Sequence, residues 1–318
     1  MKKTIITISI LLVLIPILAF GRGQSQSGAG ASSKPVVGLV MKSLANEYFK
    51  TMEEGAVAFA AKDGSFTLIP VGMNSETDID TQINAIDNFI SRQVDLLVIT
   101  PADSVGLVAS VKRAMDARIV VVNADVKLDN AALKAAGLPE DFLFVGPDNA
   151  DGAELAGNAL GEKLGRGGKV FIIEGNPGAD NATQRKNGFL RSVDKYGLNL
   201  LASNTAHWET EEANSLMTNL LIRYPDVQGV MCANDSMVLG VVRALEAAGR
   251  SDVQVVGFDN ISAVQDLIKA GKVLATVDQY GQDQAAMAIQ VGLRILKGER
   301  LSGWQKTPVD LVTAANLR

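Results

Sequence analysis

From Pro35 onward, short apolar runs alternate with longer amphipathic stretches. The runs are PVVGLVM (35–41), FTLIPV (66–71), DLLVIT (95–100), RIVVVN (118–123), FLFVG (142–146), KVFIIE (169–174), LNLLAS (198–203), VQGVMCA (227–233), VQVVGF (253–258) and VLATV (273–277). They are almost continuously apolar, as expected of parallel strands covered on both faces. Helical patterns lie between them, among them 79–92, 150–164, 211–223 and 283–297. Strands alternating with helices predict βαβ units with right-handed crossovers. A (β/α)8 barrel of similar length is the rival fold, but ten runs and a break in the rhythm at Gly146-Pro147-Asp148-Asn149 argue against it. The expected fold is α/β: two doubly wound parallel-sheet domains that face each other across a cleft.

Six of these segments run into a polar residue or an indole: Asn46, Asp125, Trp208, Asn234, Asp259 and Gln279. Ligands of open parallel sheets bind outside the carboxyl ends of the strands. The residue types are amides, carboxylates and a tryptophan, with no obvious pair of nucleophile and base. That set suits a small polar ligand held without turnover. A polyhydroxylated molecule needs hydrogen-bond acceptors and donors, which Asp, Asn, Gln and Arg supply. Its C–H faces need aromatic plates, and in a chain only 5% aromatic the candidates are Tyr48, Phe49 and Trp208. Ordinary helix packing is the competing role for Tyr48 and Phe49. Asp125 and Asp259 also have the composition of a glycosidase pair, but their amide, arginine and aromatic neighbours favour recognition of hydroxyls.

Other chemistries find little support. Gly165-Arg166-Gly167-Gly168 precedes a strand and follows a helix, the reverse of a dinucleotide-binding turn, and reads as a helix stop. The chain lacks a GxxxxGK[ST] loop and a GxSxG elbow. Its one histidine, His207, has no spaced partner for a metal, and its one cysteine, Cys232, sits in an apolar strand. No cofactor and no metal are expected. The net charge of −5 speaks against nucleic acid as a partner. Lys2, Lys3 and the apolar stretch Ile5–Phe20 read as a signal peptide over residues 1–21, followed by a disordered Gly/Ser/Gln leader over 22–33. No cysteine sits at the end of the apolar stretch, so the expected product is soluble, periplasmic and not lipid-anchored.

Several motifs together resemble the ribose/allose-type periplasmic sugar-binding proteins, the ligand receptors of ABC importers. They are KSLANEYF (42–49), NADVKLDN (123–130), TQRKNGF (183–189), ANDSMVLGVVRALEAAG (233–249), VVGFDN (255–260) and ATVDQY (275–280). The resemblance covers the chain from Lys34 onward. It implies a type I binding protein with a three-segment hinge, and domains of residues 34–147 plus 280–310 and 148–279 plus 311–318. It implies that Asn46, Asp125, Arg185, Asn234, Asp259 and Gln279 hydrogen-bond a sugar, that Tyr48, Phe49 and Trp208 stack on it, and that Lys42 matches a lysine that contacts ligand in the allose-type branch. The implied function is capture of a monosaccharide or sugar alcohol and its delivery to a separate permease and ATPase. A chemotaxis receptor is a further candidate partner, and the protein is expected to be a monomer. A chemoreceptor or quorum-signal receptor of the same fold and a secreted glycoside-acting enzyme are the alternative functions. A LacI-like repressor shares the fold, but the N-terminus reads as a signal peptide rather than a helix-turn-helix.

Three departures from the family pattern stand out. Val126 replaces the arginine that follows the first-domain aspartate in the ribose-type branch. Its absence argues against ribose as the preferred ligand. Glu47 stands where proline is usual, and Tyr48 brings a hydroxyl to a position usually held by phenylalanine.

Overall fold

The computed structural model describes residues 34–317. The signal peptide and leader expected over residues 1–33 lie outside them. Among the described residues, no helix is long and apolar enough to cross a membrane.

Ten strands follow the ten apolar runs: β1 (Val36–Ser43), β2 (Thr67–Met73), β3 (Leu96–Ile99), β4 (Val120–Ala124), β5 (Phe144–Pro147), β6 (Lys169–Glu174), β7 (Asn199–Thr205), β8 (Gly229–Cys232), β9 (Gln254–Val256) and β10 (Ala275–Asp278). Two short strands that the apolar pattern does not announce complete the sheets, β11 (Trp304–Thr307) and β12 (Asp310–Thr313). Ten helices intervene: α1 (Glu47–Asp63), α2 (Ile79–Ser91), α3 (Val108–Asp116), α4 (Asn130–Ala135), α5 (Asn149–Leu164), α6 (Asp180–Tyr196), α7 (Thr210–Arg223), α8 (Asp235–Ala247), α9 (Ser262–Lys269) and α10 (Gly281–Leu296).

The strands form two six-stranded sheets, ordered β11-β5-β4-β3-β1-β2 and β12-β10-β9-β8-β6-β7. All neighbours are parallel except β12, which runs antiparallel to β10. The two-sheet architecture expected from the sequence is therefore present, and the barrel is not. In each sheet the order reverses once, between β1 and β3 and between β6 and β8. A doubly wound sheet opens a crevice at such a switch point.

Burial explains why the strands read as continuous apolar runs. In β1, Val37, Leu39 and Met41 join one buried cluster while Val40 joins another on the opposite face. In β3, Leu96 and Val98 pack to one side and Leu97 and Ile99 to the other. Alternate residues of a strand point to opposite faces, so a strand covered by helices on both sides needs apolar residues at every position. The single cysteine, Cys232, is buried on β8, and Gly165 ends α5 with φ 72°.

Helices of the second sheet approach one another closely through glycine. An ideal Cβ on Gly188 of α6 would lie 2.2 Å from the Ala150 carbonyl oxygen of α5. Helix propensity alone favours alanine over glycine by about 1 kcal/mol. Here the clash is with backbone, so the helices must separate. Gly188→Ala is expected to lower stability by about 1–3 kcal/mol. Urea denaturation with an unchanged m-value checks it, and a stabilised variant would show the contact to be looser than drawn.

Candidate functional site

The loops at the carboxyl ends of the two sheets meet around a narrow, tightly lined cleft. Its walls include all ten residues singled out from the sequence: Lys42, Asn46, Tyr48, Phe49, Asp125, Arg185, Trp208, Asn234, Asp259 and Gln279. Glu76 and Asn181 line it as well, and sequence reasoning missed both. Glu76 lies just beyond β2, so the strand-end rule applied to that strand would have found it. Asn181 precedes Arg185 by one helical turn on α6, and residues four apart share a helix face.

Local folding orients these side chains. Asn46 and Asn234 are the N-caps of α1 and α8. Asn46 Oδ1 accepts from the Tyr48 N–H at 3.0 Å, and Asn234 Oδ1 accepts from the Met237 N–H at 2.9 Å. The cap uses the amide oxygen, which leaves the NH2 group of each to work elsewhere. Asn46 Nδ2 donates to Glu76 Oε1 at 2.8 Å. Asp125, Trp208 and Asp259 all have positive φ, at 62°, 73° and 120°. Non-glycine residues seldom adopt that backbone, and here it turns three strand-end side chains into the cavity.

Asp259 carries the largest strain and the firmest support. Next to its loop, Asp235 Oδ2 accepts from the Ile261 N–H at 3.1 Å, and Oδ1 accepts from Thr276 Oγ1 at 2.8 Å. Arg185 Nη1 donates to the Ala233 carbonyl at 2.8 Å and to Asp259 Oδ1 at 3.4 Å, while Nε donates to Asn149 Oδ1 at 2.8 Å. The guanidinium lies 3.7 Å from the centroid of the Phe258 ring. Gln279 Nε2 donates to the same Asp259 oxygen at 2.7 Å. Burial nevertheless pushes the Asp259 carboxyl up to about 7; Arg185 opposes that rise, and the nearby Asp125 and Glu76 carboxylates add to it.

The first sheet supplies a second charged pair. Lys42 Nζ lies 2.7 Å from Glu76 Oε2, with both side chains almost wholly buried. The ammonium sits between two aromatic rings, 5.4 Å from the centroid of Phe49 and 5.2 Å from that of Trp208. Tyr48 Oη donates to Asp125 Oδ1 at 3.1 Å. Burial, then the Asp125 charge, raises the phenol well above its ordinary value, so it remains a donor. Its ring meets Phe49 edge-on at 5.0 Å. The hydroxyl absent from the family pattern is thus built into the cavity wall. Val126, in place of an arginine, is buried in the core.

Three buried polar atoms on these walls have no hydrogen-bond partner among the described residues: Asn181 Oδ1, Trp208 Nε1 and Gln279 Oε1. Glu76 Oε2 faces Lys42 without hydrogen-bond alignment. Buried polar groups are nearly always paired, so two free acceptors and a free donor around one cavity are a template for hydroxyl groups. His207 stands apart: its Nδ1 lies 2.7 Å from Glu212 Oε2 on the surface. Among the described residues, no cluster of three or more His, Cys, Asp or Glu side chains is arranged to hold a metal.

Contacts at the rim bring the two sides together. Glu47 Oε1, on the first side, accepts from the Ser262 N–H at 2.8 Å, and Glu209 Oε1 reaches the Glu76 N–H at 3.2 Å. The Ser104 N–H donates to the Gly178 carbonyl at 2.9 Å, and Asn176 Nδ2 donates to the Ala102 carbonyl at 3.2 Å. These bonds describe a closed cleft.

Comparison with known proteins agrees with this geometry. Residues 37–300 match the model of the periplasmic binding protein domain. The chain is 45% identical over 289 residues to the D-ribose/D-allose-binding protein of Pseudomonas aeruginosa, covering 88% of this chain and 89% of that protein. It is 34% identical over 281 residues to the ribose import binding protein of Salmonella typhimurium, covering 88% and 90%. A solved periplasmic solute-binding protein of an ABC transporter from Actinobacillus succinogenes, with bound D-allose, superposes with a TM-score of 0.84 at 36% identity, covering 89% of this chain and 98% of that one. With its fold, its cleft and its sequence in agreement, the chain belongs to the periplasmic binding protein domain family.

Proposed function

We propose that this protein is the substrate-binding component of an ABC importer, which captures a monosaccharide or related sugar alcohol in the cleft and presents it to a membrane permease. One observation carries the reading: an unpartnered buried donor and unpartnered acceptors converge with aromatic rings between two lobes. The relatives named for ribose and allose support the ligand class. Asp125, Asp259 and Gln279 accept from sugar hydroxyls, while Asn46, Arg185, Asn234 and the Trp208 N–H donate. Phe49 and Trp208 pack against C–H faces, and Tyr48 orients Asp125. The walls bind and do not turn over: the carboxylates are tied to Tyr48, Arg185 and Gln279, as suits recognition of ground-state hydroxyls. The permease and ATPase are separate chains, and the site of action is the periplasm.

The working lobes in this reading are residues 34–147 with 280–310, and 148–279 with 311–318. Sheet membership supports the division, since β11 joins the first sheet and β12 the second. Sugar bridges the lobes and so favours the closed state, because a ligand shifts an equilibrium only through its differential affinity. Calorimetric titration with pentoses, hexoses and polyols, paired with small-angle scattering, tests the proposal. At least one such compound should bind and reduce the radius of gyration. Binding by none of them would overturn the sugar reading, and tight binding without compaction would overturn the closure.

Two further outcomes follow from the walls. Hydrogen bonds to charged groups contribute about 1.5–3 kcal/mol each, so Arg185→Ala is expected to weaken sugar binding about tenfold or more. Calorimetry on the folded variant checks this; unchanged affinity would remove Arg185 from the site. The second concerns pH. Burial in the closed cleft raises the Asp259 carboxyl to about 7 and hydroxyl donors stabilise its charged form, so the liganded closed state holds fewer protons than the empty closed state. Sugar entering the closed cleft therefore releases protons, and its affinity there rises as pH increases toward that value and then levels off. Titrations in buffers of different ionisation heat read the proton release, and Asp259→Asn should abolish it.

A further inference from the structure

Glu76 has no part in the recognition scheme above, yet it faces the cavity. Its side chain is almost wholly buried, one carboxylate oxygen accepts from Asn46 Nδ2 at 2.8 Å, and the other lies 2.7 Å from Lys42 Nζ. Its backbone N–H is held from across the cleft by Glu209. The charged groups on the walls are two cations, Lys42 and Arg185, and three carboxylates, Glu76, Asp125 and Asp259. Arg185 still has donors for a hydroxyl, but its charge is already paired with Asp259. Lys42 is therefore the cation best placed to meet an anionic ligand, between the rings of Phe49 and Trp208. Glu76 is the group that neutralises it.

We propose that Glu76 is a specificity-determining residue: it aims Lys42 and Asn46 into the cleft and cancels the lysine charge, so that uncharged polyols enter and sugar acids are rejected. The inference rests on the sugar-binding reading and deepens it. The physical argument is selection against the wrong ligand. A sugar carboxylate placed between Phe49 and Trp208 would meet Lys42, but also Glu76 behind it and a formal excess of one negative charge on the walls. In a buried site like charges are poorly screened, and the carboxylate would lose its hydration with no unpaired cation in return. A neutral hydroxyl loses far less, and Lys42, held by Glu76, still has N–H groups to donate.

The test is a selectivity ratio. Affinities of the full-length mature protein for two neutral probes, D-allose and D-ribose, are compared with those for two acids, D-glucuronate and D-ribonate. The wild type should prefer its better neutral probe to either acid by about a hundredfold or more. Glu76→Gln keeps the shape and the acceptor for Asn46 but frees the lysine charge, and should narrow that ratio about tenfold or more. Adding Lys42→Met to Glu76→Gln should widen it again, since the unbalanced cation is gone. A wild type that binds the acids as tightly as the neutral sugars overturns the proposal. So does a Glu76→Gln protein that loses affinity for all probes by one common factor, which would mark a purely structural role. Should Glu76→Gln not fold, Lys42→Met decides: it leaves Glu76 unbalanced and must widen the ratio, and an unmoved ratio overturns the proposal. A wild type that binds neither these probes nor any other pentose, hexose or polyol defeats the sugar reading itself, whereas binding of neutral sugars with unmoved selectivity in the variants defeats only the role of Glu76.

Discussion

Burial of charge where two sheets meet is the constraint on which the rest of this structure depends. Lys42, Glu76, Asp125, Arg185 and Asp259 are all nearly inaccessible to water. Removing one partner of a buried ion pair costs about 3–5 kcal/mol, because the other is left unsatisfied. The protein meets this with tightly drawn pairs: Lys42 with Glu76, Arg185 with Asp259 and with a backbone carbonyl, and the Tyr48 hydroxyl with Asp125. The compensation at Asp259 is incomplete, and its carboxyl stays well above the usual carboxylate range. Hydroxyl groups from a ligand would complete it. The fold thus holds a destabilised group in reserve for binding, as functional sites commonly do.

That arrangement is held by the backbone as much as by side chains. Two asparagines each cap a helix with the oxygen and turn the NH2 group elsewhere, so helix initiation and site assembly are one event. Three strand-end residues accept the left-handed region, and Asp235 clamps the most extreme of these loops through Ile261 and Thr276. Asp235 is itself raised well above its ordinary value by burial and the nearby Asp259 charge. Strain of this kind persists only where the surroundings over-determine the conformation.

Closure of the cleft rests on polar contacts. Each lobe extends a glutamate to a backbone N–H of the other, Glu47 to Ser262 and Glu209 to Glu76. Glu47 stands at the first position of α1, where the family pattern has proline. Either residue suits a helix start, proline through its fixed φ and glutamate through its favourable charge. Only glutamate can also bridge the cleft. Polar bridges of this sort trade easily for water, which suits the opening and closing proposed for the cleft.

The sequence by itself determined the sheets and most of the cavity. The central strands were legible because a strand covered on both faces must be apolar at every position, as the opposed packing of Leu96 and Leu97 shows; the edge strands β2 and β7, though half-exposed, still carry apolar runs. The ten predicted wall residues were legible because strand ends of a doubly wound sheet are topologically bound to converge, and because the family motifs carried Lys42, Tyr48, Phe49 and Arg185. Strands β11 and β12 were not legible: WQKT and DLVT are short, half-exposed edge strands with little need of apolar residues. Glu76 and Asn181 escaped for a different reason. A carboxylate in a polar loop looks solvated until tertiary structure places an ammonium 2.7 Å away, and an asparagine on a helix looks exposed until the fold buries it in the cleft wall. Local pattern records what a residue needs from its own strand or helix. Which charges share a cavity is set by contacts between segments far apart in the chain, and only the folded structure decided that.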